Sequence, residues 1–301
     1  MEISRIPNRV HALKRNTHTN GVTYLSFPEF DTLGGVRHAF STRLGGVSRG
    51  FYESMNLSFT RGDDEADVHE NYRRFSEIVG AAEEDVVCTY QTHTTNIRVV
   101  TREDAGKGVV RERDYTDIDG LVTDDPSVVL TVFYADCVPL LFADPVKKAI
   151  GTAHAGWRGT VGGIGSNMAQ KLKDHYGTDP ADLYVAIGPS ICGDCYEVGE
   201  EVVMQVKDAL PPRLQACITA TAYAKGARRD CAVFRRAGAP EGKYQLDLHV
   251  LNRLMLEEAG IPADRIFVTD VCTKCNPELL FSHRVMGEKR GNLAAFLRIA
   301  K

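Results

Sequence analysis

"YADCVPLLFADPVKKAIGTAHAGWRG", residues 134–159, is the stretch on which the reading of the fold turns. Two apolar runs of the length and composition of buried strands each deliver a reactive side chain, Cys137 and His154, with turn residues after it. A cysteine packed as a small hydrophobe has no need of a histidine at the end of the next strand. The pair therefore raises the question of a third partner, and of the fold that would bring three distant residues together.

Outward from this stretch the pattern alternates between strand and helix. "GVTYLSF", "VRHAFST", "VVCTY", "IRVV", "SVVLTVFYA", "KKAIGTA", "DLYVAIG" and "RIFVTD" read as short strands rich in β-branched and aromatic residues. Residues 64–79 place Val68, Tyr72, Phe75 and Val79 on one helical face, with Asp63 or Asp64 as N-cap and Gly80 past the end. Residues 160–176, 199–210 and 247–259 are three further helices; the second of these stops at Pro211-Pro212 and the last at Gly260-Ile261-Pro262. The stretch 211–242, rich in Pro, Ala and Arg, reads as an insertion or long loop. Strands outnumber helices, and hairpin-length links mix with helical crossovers. The expectation is an N-terminal arm over 1–20 and a single α+β domain over 21–301, with mixed β-sheets flanked by helices.

Composition narrows the function. The net charge of −4 over 301 residues offers no basic face for nucleic acid. No apolar run reaches the roughly 18 residues of a membrane span, and the opening "MEISRIPNRVHALKRN" lacks the apolar segment of a signal peptide. The expected setting is cytoplasmic, where the eight cysteines serve metal binding or catalysis rather than disulfides.

His93, in the turn between two strand-like runs of "VVCTYQTHTTNIRVV", is the candidate third partner. Two imidazoles and a thiolate suit Zn²⁺, and three protein ligands leave a fourth position for water or substrate. Cys137 and His154 equally fit a metal-free nucleophile–base pair, so both are candidate catalytic residues as well as candidate ligands. After His154, "GWRGTVGGIGS" offers a glycine-rich entry to a helix, with Arg158 as an added charge for phosphate or another anion. Close packing of helix on sheet would use the same glycines. The loop "STRLGGVSRGFYESMNL" presents Arg43 as a second candidate for substrate or phosphate.

Taken in order, "HAFSTRLGGVSRGFYESMNL", "QTHT", "TDIDGLVT", "YADCVPLLFAD", "GTAHAGWRGT" and "AIGPSICGDCYEVGEEV" resemble the YfiH-type laccase-domain family, also known as the polyphenol oxidoreductase family. The resemblance runs from about residue 30 to 299. It implies a four-layer α/β/β/α fold, CNF/YfiH-like, shared with bacterial toxin deamidases. It also implies a zinc on His93, Cys137 and His154, and purine nucleosides and phosphate as substrates. The implied reactions are phosphorolysis of adenosine, inosine and methylthioadenosine, and deamination of adenosine. Copper-dependent phenol oxidation and cysteine-hydrolase editing of peptidoglycan precursors are other activities the family implies. Thr94, Cys192, His283 and the Arg290-Gly291-Asn292 run depart from its usual pattern.

A four-copper centre needs about ten histidines, many in His-x-His pairs. The chain has nine and no such pair, so copper is expected only as an in vitro occupant of a zinc-type site. For deamination, Asp136 is the adjacent carboxylate available for proton transfer, if strand alternation does not turn it to the opposite face. Finally, Cys192/Cys195 and Cys272/Cys275 form two CxxC pairs, which could close into a Cys₄ zinc site. Because Cys195 and Cys272 fall where the resembled family often has cysteine, packed thiols are the preferred expectation.

Overall fold

The computed structural model describes residues 2–7, 9–224 and 231–300. Two six-stranded mixed sheets lie face to face. The first runs Lys14–Thr17, Thr23–Ser26, Val36–Ser41, Leu293–Ile299, Val129–Tyr134, Val86–Cys88. The second runs Ile266–Val268, Tyr184–Ile187, Val138–Asp144, Ala149–Ala155, Gly120–Thr123, Ile97–Val99. A smaller four-stranded sheet holds Glu197–Gly199, Lys243–Leu246, Val233–Arg236 and Ile218–Tyr223.

The layering follows from the period-2 alternation of the strands. In Val138–Asp144, Val138, Leu140 and Phe142 face the helices Ile164–Tyr176 and Leu248–Glu258, while Leu141 and Ala143 face the first sheet. In Leu293–Ile299, Leu293, Ala295 and Leu297 face the second sheet, while Ala294 and Phe296 meet Val68, Tyr72 and Phe75 of the helix Glu65–Ile78. Both strands are buried on both faces. Each fully buried Phe or Leu is worth about 1.5–3 kcal/mol, so the three apolar interfaces hold an α/β/β/α stack.

The helices follow their capping signals. Asp64 caps Glu65–Ile78 by accepting from the Ala66 amide, and Asp247 caps Leu248–Glu258 by accepting from that of Val250. Glu200–Ala209 ends before the Pro211-Pro212 pair. The segment expected as one helix over 160–176 is two, Trp157–Val161 and Ile164–Tyr176. The chain turns between them at Gly162 and Gly163, and Gly163 takes a left-handed φ of 79°. Strand Leu293–Ile299, not picked out from the sequence, lies at the centre of the first sheet. The stretch 211–242 is not one long loop: outside 225–230, which fall beyond the described residues, it supplies two strands of the small sheet.

Among the described residues no helix is long and apolar enough to cross a membrane.

Candidate metal centre

The site is made where the chain passes from one sheet to the other. Val86–Cys88 and Val129–Tyr134 are parallel neighbours in the first sheet, so both leave it at the same end. The first continues through His93 to Ile97–Val99, and the second through Cys137 to Val138–Asp144, both in the second sheet. His154 lies inside Ala149–Ala155, directly opposite Pro139. Cys137 is two residues before Pro139, so it shares the face of His154 as a diagonal neighbour. Thus Cys137 stands at the entrance of the second-sheet strand, on the crossover, and not at the end of a strand in the same sheet.

The ligand-capable atoms of His93, Cys137 and His154 all lie within 4.8 Å of one another. Cys137 Sγ is 3.9 Å from His93 Nε2, and the two imidazole centroids are 4.9 Å apart with their planes at 72°. His154 is buried, Cys137 half-buried and His93 exposed. Gly156 must be glycine here, because a Cβ would sit 2.9 Å from His93 Cδ2 and 3.1 Å from Cys137 Sγ. The 3.9 Å between Cys137 Sγ and His93 Nε2 is a separation that Zn–S and Zn–N bonds of 2.0–2.3 Å can span. No fourth side chain joins the group among the described residues.

Asp119 organises this trio. It precedes Gly120–Thr123, whose pairing with Ala149–Ala155 sets it beside His154. Its Oδ1 is 2.8 Å from His154 Nδ1, which donates to it and leaves Nε2 as the nitrogen available to an ion. The same carboxylate accepts from the amides of Thr92 (3.0 Å), His93 (3.2 Å) and Thr94 (2.9 Å) and from the Thr94 hydroxyl. Those bonds pin a loop in which His93 has a φ of 64°, a conformation uncommon for a residue with a Cβ. Burial alone would raise the Asp119 pKa; the bonds from His154, Thr92 and Thr94 outweigh it and hold the carboxyl below its usual range.

Electrostatics favour an ionised pair. Burial would push the Cys137 thiol up, but the facing His154 charge, with bonds from His154 and His93, lowers it from 9.0 to about 6. Burial would push His154 down, but the Cys137 thiolate and Asp119 raise it from 6.5 to about 9.

Both carboxylate oxygens of Asp136 are engaged. Its φ is 97°, Thr273 Oγ1 donates to one carboxylate oxygen at 2.6 Å, and the Arg284 amide donates to the other at 2.6 Å. It clamps the turn that carries Cys137.

The trio opens on a cleft of about 420 Å³. Phe59, Tyr90 and Phe133 give it aromatic surface; Arg61, Arg113 and Arg290 give it charge. Arg43 and Arg158 are not among its lining residues. The Arg43 guanidinium donates to the carbonyls of Glu53 and Pro277, both at 2.9 Å, and lies over the Phe281 ring, tying two loops together. That of Arg158 lies over its neighbour Trp157. Arg290 is 5% exposed, its Nε has no hydrogen-bond partner, and burial, then the Arg61 charge, lower its pKa to about 10. Sequence reasoning missed Asp119 and the three cleft arginines. Asp119 lies in "TDIDGLVT" and Arg290 in the Arg290-Gly291-Asn292 run, stretches noted for the family resemblance and not for these side chains.

A four-layer α+β fold with an open His₂Cys group where two sheets meet defines a class. The chain belongs to the laccase-domain (YfiH-type) family, whose model, described as multi-copper polyphenol oxidoreductase laccase, matches residues 37–300. It is 37% identical over 262 residues to the purine nucleoside phosphorylase YlmD of Bacillus subtilis, covering 86% of each chain. It is 32% identical over 255 residues to adenosine deaminase RL5 from an unknown prokaryotic organism, covering 84% of this chain and 90% of that one. Among solved structures, YlmD from Geobacillus stearothermophilus aligns with a TM-score of 0.79 at 35% identity, over 95% of this chain and 99% of that one.

Proposed function

We propose that this chain is a zinc-dependent purine nucleoside enzyme, performing phosphorolysis of adenosine, inosine and methylthioadenosine and deamination of adenosine. The observation that carries the reading is the convergence of His93, Cys137 and His154 on a cleft holding both aromatic surface and three arginines. Relatives named as purine nucleoside phosphorylase and adenosine deaminase support it. So does the donor set, which has the composition of an open zinc site.

The residues divide the work. Asp119 fixes the His154 tautomer and the His93 loop, so the donor atoms are held in place before substrate arrives. A zinc held by His93, Cys137 and His154 would supply Lewis acidity at the open position, polarising what binds there. Phe59, Tyr90 and Phe133 give the cleft aromatic surface against which a purine can pack. Arg290, buried and with an unpartnered Nε, and Arg61, beside it, suit a phosphate near the sugar. They replace Arg43 and Arg158 in that role.

One observation favours a second reading. The ionised Cys137–His154 pair has the electrostatics of a cysteine nucleophile with its base, acting on an amide. His93→Ala separates the two. Adenosine is incubated with and without phosphate, products are resolved by chromatography, and metal per chain is measured. Loss of metal together with loss of nucleoside turnover is the expected result. Full turnover in His93→Ala, or in metal-stripped wild type, would rule out zinc catalysis.

A further inference from the structure

The two CxxC pairs meet. Tyr184–Ile187 and Ile266–Val268 are parallel neighbours in the second sheet, so the loops that follow them leave from the same end. The first loop carries Cys192 and Cys195, the second Cys272 and Cys275. A bridge between Ser190 and Cys272, and a bond from the Thr273 amide to the Ser190 carbonyl at 3.1 Å, hold the loops side by side. All four sulfur atoms lie within 4.8 Å of one another, and Cys195 Sγ is 3.5 Å from Cys275 Sγ.

That spacing rules out disulfides and suits a shared ion. Four sulfurs on a tetrahedral ion at Zn–S distances near 2.3 Å are about 3.8 Å apart, whereas a disulfide holds its two sulfurs at about 2.05 Å. Each pair sits on a tight turn: the Cys195 and Tyr196 amides both donate to the Cys192 carbonyl, and Asn276 Nδ2 donates to that of Cys272. The Cys192 amide points at Cys272 Sγ, 3.3 Å away, a donor suited to a thiolate acceptor. Cys192, Cys195 and Cys272 are buried with Ile191 in a cluster of their own, covered by Ile6 and Tyr196, and Cys275 faces solvent. Thiols kept only for packing have no reason to direct four sulfurs at one point from two separate loops.

We propose that Cys192, Cys195, Cys272 and Cys275 form a closed tetrathiolate site for zinc or a similarly thiophilic divalent ion, separate from the His93–Cys137–His154 centre. Four thiols release their protons to solvent, four metal–sulfur bonds form, and no electron is transferred. With four protein ligands no position remains for substrate, so the site is structural. What it holds is specific. The Ile191 amide donates to the Asp136 carbonyl at 3.0 Å and Thr273 Oγ1 to the Asp136 carboxylate at 2.6 Å. Residues adjacent to Cys192 and to Cys272 therefore both grip the residue before Cys137.

The test is metal stoichiometry by mass spectrometry on full-length protein purified without chelators, in wild type, His93→Ala and Cys275→Ser. The solvent-facing Cys275 is the mildest of the four to change; cobalt reconstitution of His93→Ala adds a readout that leaves every tetrad cysteine intact. We expect two equivalents in wild type and one in His93→Ala, with that protein giving the intense sulfur-to-cobalt charge transfer of a four-sulfur site. Cys275→Ser should retain the equivalent that His93→Ala loses. If the His93 centre alone is misassigned, wild type holds one equivalent that survives His93→Ala and is lost in Cys275→Ser, and the tetrathiolate stands. A single equivalent lost in His93→Ala overturns it. So does a His93→Ala protein free of metal, or one whose intact mass is two hydrogens light for a disulfide.

Discussion

The chain has two sulfur-bearing clusters built on the same principle to different ends. In each, donors from separate chain segments converge at a sheet margin, with every donor atom within 4.8 Å of the others. The His93–Cys137–His154 group has three donors, grades from a buried to an exposed residue, and opens on a cleft. The tetrad has four donors, three of them buried, beneath Ile6 and Tyr196. The open group is also braced by a carboxylate, Asp119, which bonds both His154 and the loop of His93, while at the tetrad a backbone amide donates to sulfur. Donor count and cover, not donor type, separate a site suited to chemistry from one suited to holding chain.

The largest effect should come from breaking the closed cluster. Cys272→Ser should lower Tm by about 10 °C or more, since structural zinc contributes on the order of 10 kcal/mol of folding energy in small domains. His93→Ala should shift it by only a few degrees, which thermal unfolding of the two variants will compare. Equal shifts would erase the distinction between the two sites. Next, Asp119→Asn should cost roughly 10–100-fold in metal affinity and turnover while the tetrad keeps its ion, measured by competition with a chromophoric chelator.

The ionised pair gives a pH signature. Because the Cys137 pKa is lowered to about 6, its thiolate persists above that pH and is lost as pH falls through it. In metal-stripped protein, alkylation of Cys137 followed by peptide mapping should be half-maximal near pH 6, not near the ordinary value of 9.0. Half-maximal alkylation above pH 8 would show that His154 is uncharged. More modestly, Arg290→Gln should raise the KM for phosphate about tenfold, the loss of one charge-assisted bond, and leave deamination nearly unchanged. Equal losses in both reactions would place Arg290 at the nucleoside instead. Smallest of all, Arg43→Ala should lower Tm by a few degrees through loss of its bonds to Glu53 and Pro277, with kinetics unaltered.

How much of this was legible depends on whether the signal was local. The Asp64 cap, apolar faces and Pro stops are local, and the helices Glu65–Ile78 and Glu200–Ala209 followed them; the Asp247 cap went unread, and the break at Gly162-Gly163 split one expected helix in two. His93, Cys137 and His154 stood out because reactive residues beside turn residues interrupt apolar runs. Asp119 did not stand out: its importance comes from register, the pairing of Gly120 with Ala153, which no local pattern encodes. Arg43 looked like a ligand because an arginine beside paired glycines resembles an anion loop, yet its carbonyl partners lie 10 and 234 residues away in sequence. Likewise the terminal strand Leu293–Ile299 reveals itself only by its neighbours, Val36–Ser41 and Val129–Tyr134. Convergence of the two CxxC pairs rests on the parallel pairing of Tyr184–Ile187 with Ile266–Val268, again a long-range fact.

Asp119 has a consequence for how the open centre comes into being. One carboxylate restrains both the ring of His154 and the backbone of the loop that carries His93. The two imidazoles are therefore statistically dependent: whatever fixes one reduces the freedom of the other before any ion is near. Capture of an ion by such a centre is a near-single event, with little ordering entropy left for the second histidine to lose. Changes at Asp119 and at either histidine should then be strongly non-additive, because after the first the second has little left to disrupt.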